Sequence, residues 1–216
     1  MRKTIRWYRF YLISIVVIVV LDCFMIKQVR QQDRTESSSN QQMEQMICRE
    51  MEYFPIAFCM ESDLSFDFAD SWMTERSYGG NRTHEGCDII TATDQRGIYP
   101  VVSMTDGVVE QLGWLTLGGY RIGIRSDSGV YYYYAHMESY ADGIREGQEV
   151  LAGEFLGFVG DSGYGDEGTV GQFVTHLHIG IYVPDENGED TAINPYPYLE
   201  AIRENGIYAL YSGLDD

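Results

Sequence analysis

The hydrophobic pattern divides the chain into three parts. Residues 10–26 form an apolar run whose only charge is Asp22. That run of 17 residues is at the short end of what an α-helix needs to cross a bilayer at about 1.5 Å of rise per residue. Arg2, Lys3, Arg6 and Arg9 precede it, and Trp7, Tyr8 and Tyr11 stand where an interfacial aromatic belt forms. Basic residues ahead of the run predict a cytoplasmic N-terminus and everything after residue 27 outside, at a bacterial cell membrane. No small-x-small cleavage site follows, and "VLDC" puts Asp22 where a lipoprotein site needs a small residue. The expectation is therefore a retained single-pass anchor over residues 1–27 rather than a cleaved signal. Residues 28–50 are polar, without Gly or Pro, and read as a linker that is helical near its end or disordered.

From residue 51 the pattern changes again. Short apolar runs alternate with Gly, Asp and Ser in "GIYPVVSMTDGVVEQLGW", "GGYRIGIRSDSGVYYYYAHM", "EVLAGEFLGFVGDSG" and "THLHIGIYV". Short strands at turn-marked spacing predict a mainly β fold, a compact antiparallel β-sheet domain over residues 51–200 with a tail at 201–216. "SDSG" is a hairpin signal between two strands. "NPYPYLEAIREN" after position 193 reads as helix. Alternation splits the four tyrosines at 131–134 between two faces, two to the core and two to any groove.

Composition narrows the class. Among 216 residues, 15 Lys+Arg stand against 33 Asp+Glu, a formal charge of −18. That length fits one domain with an appendage. The acidic balance argues against a nucleic-acid or anionic-lipid ligand, since both demand basic surface. The 23 glycines and 17 tyrosines suit strands and tight turns rather than a helix bundle. Cys23, Cys48, Cys59 and Cys87 form no CxxC pair, which excludes a zinc ribbon or thioredoxin-like motif. Spacing leaves a Cys48–Cys59 pairing open, and Cys87 reads as a small buried filler.

The chemistry lies in four histidines, His84, His136, His176 and His178. His176 and His178 occupy alternate positions of "THLHIGIY", a run of β-formers, so both rings project from one face while Leu177 and Ile179 face the other. His84 precedes Asp88 by four residues in "HEGCD", and His136 ends the run "VYYYYAH". A catalytic zinc takes three protein ligands and leaves a fourth position for water. His84, Asp88 and one of the HxH pair make such a set, leaving two imidazoles for acid–base work. HxxxD alone is weak and HxH alone moderate; the three motifs together account for every histidine. The serine of "GDSGYG" lacks the spacing of a nucleophile elbow and reads as a turn.

Taken together, residues 71–197 resemble the M23 family of zinc metallopeptidases, the lysostaphin and LytM type of peptidoglycan endopeptidase. The resemblance rests on "HEGCDI", "VVSMTDGVVEQLG", "GGYRIGIRSDSGVYYYYAHM", "IREGQEVLAGEFLGFVGDSG" and "THLHIGIY". It implies a Zn2+ held by His84, Asp88 and His178, with His136 and His176 as the two non-ligand catalytic histidines. Tyr78 falls, by offset, where some members place a tyrosine that supports the oxyanion. The implied fold is a compact antiparallel β domain with a groove over the metal, and the implied substrate is the peptide of bacterial peptidoglycan. Two departures stand out. No glutamate follows the HxH run, which reads "HLHIGIY", and "GYGDEGTVGQFV" is longer than the usual segment there. The second borders the groove, so it bears on substrate preference. An intact catalytic set argues against the rival expectation, a non-catalytic wall-facing scaffold or activator with a division or sporulation partner.

Overall fold

The computed structural model describes residues 21, 25–31, 34, 41–59, 64–78, 80–185 and 187–209. The expected anchor falls almost wholly outside them, and no described helix is long and apolar enough to cross a membrane. Described parts of the polar linker, residues 28–31, 34 and 41–50, are helical. The folded unit begins at Ile47, whose side chain is fully buried, four residues before the composition changes. Cys48 beside it is an exposed thiol.

Among the described residues the chain forms fourteen strands. They are β1 (Phe58–Cys59), β2 (Phe66–Phe68), β3 (Glu75–Arg76), β4 (Arg82–Thr83), β5 (Cys87–Thr91), β6 (Pro100–Val102) and β7 (Gly107–Leu115). Then come β8 (Gly119–Arg125), β9 (Tyr131–Tyr140), β10 (Glu149–Val150), β11 (Phe155–Val159), β12 (His176–Pro184), β13 (Asp190–Ile193) and β14 (Tyr208–Ala209). The main sheet runs β10-β7-β8-β9-β12-β5-β2, with β11 and β6 continuing from β9 and β13 lying on β12. Its pairings are antiparallel throughout. The mainly β expectation is met, including the β8–β9 hairpin across "SDSG". The helix after position 193 spans Tyr196–Ala201 and buries Leu199. Beyond it the chain returns as β14, parallel to β1, so much of the expected tail is part of the fold.

Alternation sets the core. Leu177, Ile179 and Ile181 of β12 lie opposite Ile89 and Cys87 of β5 and Tyr134 and Tyr132 of β9, and all seven are fully buried. Tyr134 accepts a hydrogen bond from the Met104 amide at 2.8 Å, and Tyr132 donates to Glu50 at 3.2 Å, so neither buried phenol lacks a partner. Cys87 points into this core, away from Asp88, as a filler should. Burial, with Asp88 and other acidic groups nearby, pushes its thiol up to about 12.

Candidate active site

The opposite face of the same strands carries the site. Pairing of β12 with β5 sets His178 directly across from Asp88. His178 Nδ1 lies 2.9 Å from Asp88 Oδ1. His84 enters from the segment after β4, with Nε2 3.0 Å from both Asp88 Oδ1 and His178 Nδ1. Its other ring nitrogen donates to the Ser71 carbonyl at 3.0 Å, which leaves Nε2 as the atom facing the cluster. His84 is only 3% exposed. Gly86 makes room for this arrangement: a Cβ there would meet the His178 ring at 2.3 Å.

The three facing atoms form a near-equilateral triangle of 2.9–3.0 Å edges. Three electron-rich atoms at that spacing need a proton or a cation among them. Tetrahedral zinc with nitrogen and oxygen ligands at about 2.0–2.1 Å has donor–donor edges of roughly 3.3 Å. The cluster therefore fits zinc after an outward relaxation of a few tenths of an ångström. His84, Asp88 and His178 are also a geometric metal-binding group among the described residues. Burial alone raises the Asp88 carboxyl, but the imidazoles of His178 and His84 against it outweigh burial and hold it well below the usual carboxylate range. Arg76 donates to the other carboxylate oxygen, Oδ2, at 2.7 Å and fixes the plane of the group. Sequence reasoning missed Arg76, because nothing local ties it to an aspartate twelve residues on.

The two remaining imidazoles share the groove. His176 Nε2 stands 3.8 Å from Asp88 Oδ1, and the His136 and His176 rings are 4.7 Å apart. His136 does not end its strand. It sits inside β9 at an irregularity, where two residues separate Tyr134 from Met137 but one separates their partners Ile122 and Tyr120 on β8. Its φ is +61°, in the left-handed region. Plain alternation would send His136 into the core with Tyr132 and Tyr134; the bulge re-aims it into the groove. Each ring is fixed by a backbone carbonyl: His136 Nδ1 donates to Ser162 at 2.8 Å, His176 Nδ1 to Val174 at 2.7 Å. Burial lowers His136, helped by His176, and burial likewise lowers His176 against the pull of Asp88. Both are thus neutral imidazoles whose Nε2 is the accepting atom.

An open groove of about 250 Å³ runs over these residues, walled by Arg82, Tyr133, Tyr164 and Phe173 among others. Of the four consecutive tyrosines, Tyr133 takes the groove position that alternation allows. Tyr164 and Phe173 come from the long segment before β12, whose Gly165 carbonyl accepts from the Trp114 indole at 3.2 Å. Tyr78 lies at the rim. Its ring stacks on Tyr164 at 4.2 Å and its hydroxyl donates to the Tyr164 carbonyl. The structure thus brings His84, Asp88, His136, His176 and His178 together and gives Tyr78 to the segment bordering the groove.

The model of peptidase family M23 matches residues 82–195, from the β4 arginine to the start of the C-terminal helix. The chain belongs to peptidase family M23. It is 43% identical over 145 residues to an L-Ala--D-Glu endopeptidase of Bacillus subtilis (strain 168), covering 67% of this chain and 43% of that protein. It is 30% identical over 104 residues to lysostaphin of Staphylococcus staphylolyticus, covering 47% of this chain and 20% of the other. The chain thus spans less than half the length of these curated relatives. Among solved structures, a lytM protein from Ruminococcus gnavus ATCC 29149 superposes with a TM-score of 0.71 at 49% identity, over 77% of this chain and 66% of that one.

Proposed function

We propose that this member of the family is a zinc-dependent endopeptidase that hydrolyses peptide bonds in bacterial peptidoglycan, held at the membrane by its N-terminal segment with the β domain facing the wall. One observation carries the reading: three metal-ligand atoms converge within 3.0 Å of one another, with two neutral imidazoles beside them in an open groove. Within that class we take the L-Ala–D-Glu bond, named for the relative at 43% identity, as the bond to test first; other relatives, the Ruminococcus gnavus lytM at 49% identity among them, are named for glycyl-glycine bonds.

His84, Asp88 and His178 would hold the zinc. When bound, the ion acidifies a water molecule and polarises the carbonyl to be attacked. The chain's own residues do the rest. The carbonyls of Ser162 and Val174 fix the Nδ1–H tautomers of His136 and His176, so each presents a lone pair at Nε2. His176, beside Asp88, is placed to take the water proton and return it to the departing amine. His136, across the groove and held in the same tautomer, offers a second Nε2 lone pair to that proton. Arg76 keeps Asp88 oriented.

The test is mass analysis of muropeptides released from purified peptidoglycan by the zinc-loaded full chain. New amino termini at D-Glu are expected, absent with His176→Ala. Intact peptidoglycan after prolonged incubation, with stoichiometric zinc bound, would remove the peptidase reading and leave a wall-facing binding module.

A further inference from the structure

The β3–β4 hairpin places two arginines directly opposite each other, Arg76 on one strand and Arg82 on the other. Cross-strand neighbours share a face, and like charges in that position repel. A chain of net charge −18 has acidic residues in surplus to separate them, yet the hairpin puts both guanidiniums at the lip of the groove. Their surroundings differ. Arg76 is neutralised by Asp88. Arg82 has no carboxylate partner among the described residues. Its Nε donates to the Tyr78 carbonyl at 3.2 Å and its Nη2 to the Tyr164 hydroxyl at 3.0 Å. Both acceptors are neutral, so the head group is held in place without being discharged, and Nη1 is left over. Arg82 also lies two residues before His84 on an extended segment, so both side chains leave on one side.

We propose that Arg82 binds a carboxylate of the substrate, the one on the residue that supplies the amine of the cleaved bond. This deepens the reading given above and rests on it. A glutamate joined to the next residue through one of its carboxyl groups keeps the other free. At an L-Ala–D-Glu bond that charge is fixed within about one residue's length, roughly 3.5 Å, of the bond that breaks. The alanine side offers no charge. A pre-positioned guanidinium beside the ligand histidine therefore reads the leaving residue and discriminates against neutral bridges, in which the arginine would find no partner. Charge-assisted contacts of this kind are directional, so the guanidinium geometry matters as well as its charge.

The experiment compares two synthetic peptides containing an L-Ala–D-Glu bond, one with the free D-Glu carboxyl as carboxylate and one with it as carboxamide. The enzyme is the zinc-loaded full chain, as wild type, Arg82→Gln and Arg82→Lys. Wild type is expected to favour the carboxylate peptide by tenfold or more in kcat/KM. Arg82→Gln should lower kcat/KM for that peptide by about tenfold to a hundredfold and leave the carboxamide within about threefold, erasing the preference. Arg82→Lys should recover part of it. Zinc content and melting temperature of each variant report whether the fold is intact. Equal cleavage of both peptides by wild type, or an equal loss on both in a folded Arg82→Gln, overturns the assignment while the peptidase reading stands. Cleavage of neither by wild type overturns this inference together with the L-Ala–D-Glu assignment, and release of other amino termini from peptidoglycan by the same enzyme would leave the peptidase reading standing.

Discussion

Strands β9, β12 and β5 use one backbone to make two faces with opposite requirements. On one, Leu177, Ile179, Ile181, Ile89 and Tyr134 are fully buried and complete among themselves. On the other, His178 faces Asp88 and three electron-rich atoms crowd one point. The first face is complete in itself; the second gathers three ligand atoms that a proton or a cation would have to share. The apolar face can therefore lose a side chain at a cost in stability alone, whereas on the proposed reading a change on the polar face would cost metal binding and chemistry together. Alternation of side chains keeps the two apart across a single strand thickness.

The sharpest way to break this contrast is Asp88→Asn. The amide keeps the volume but removes the negative ligand and the partner of Arg76. Zinc content should fall from stoichiometric to trace, and peptide hydrolysis by about a thousandfold or more, equivalent to roughly 4 kcal/mol of transition-state stabilisation. Metal analysis and peptide release check both. A variant that kept its zinc and its rate would show that the triangle is not the metal site.

The matching test on the other face is Ile179→Ala, one residue from His178 but pointing the opposite way. Truncating a fully buried isoleucine costs about 2–5 kcal/mol through lost burial and a residual cavity. In a domain of this size about 3 kcal/mol lowers the melting temperature by roughly 6–12 °C. Below that melting temperature, zinc content and the rate per folded molecule should match wild type. A large loss of rate in the folded state would mean the two faces are coupled more tightly than alternation suggests.

Arg76→Gln gives a smaller, graded effect. It removes the donor to Asp88 Oδ2 without touching a ligand atom. Loss of such an orienting partner typically costs about tenfold to a hundredfold in metal affinity. Competition with a chelator should show a drop in that range, with the rate restored by excess zinc. An unchanged affinity would demote the contact to a surface ion pair.

The HxH face and the β fold were legible because both rest on period-two alternation, which a sequence displays directly. Cys87 and the pairs within the 131–134 tyrosine run followed from the same rule. His136 was found as a residue but not as a geometry: its even-numbered neighbours Tyr132 and Tyr134 are core, and only the bulge with φ +61° turns it around. A register shift depends on the partner strand, so the local pattern does not carry it. Arg76 and Arg82 went unnoticed for a similar reason. The hairpin that pairs them is two residues long on each side, too short to leave a periodic signal. Ile47 falls in the expected linker because a few apolar residues in a polar stretch, Met43, Met46 and Ile47, do not show which of them the fold covers.

Tyr78 sharpens the comparison at its edge, where the polar face meets the bordering segment. The family resemblance implies a tyrosine that donates to the oxyanion. In the structure its hydroxyl donates to the Tyr164 carbonyl and its ring stacks on Tyr164, whose own hydroxyl accepts from Arg82. The two roles differ in size. Loss of an oxyanion donor costs about a hundredfold to a thousandfold in kcat. Loss of one exposed hydrogen bond within a rim segment costs about 0.5–1.5 kcal/mol of local stability and leaves the stacking in place. Tyr78→Phe should therefore keep kcat within about threefold of wild type and act mainly on KM, through a looser segment around Tyr164. Steady-state kinetics on the carboxylate peptide decide it. A fall in kcat of a hundredfold at unchanged KM would return Tyr78 to the chemistry and show that the rim rearranges when substrate binds.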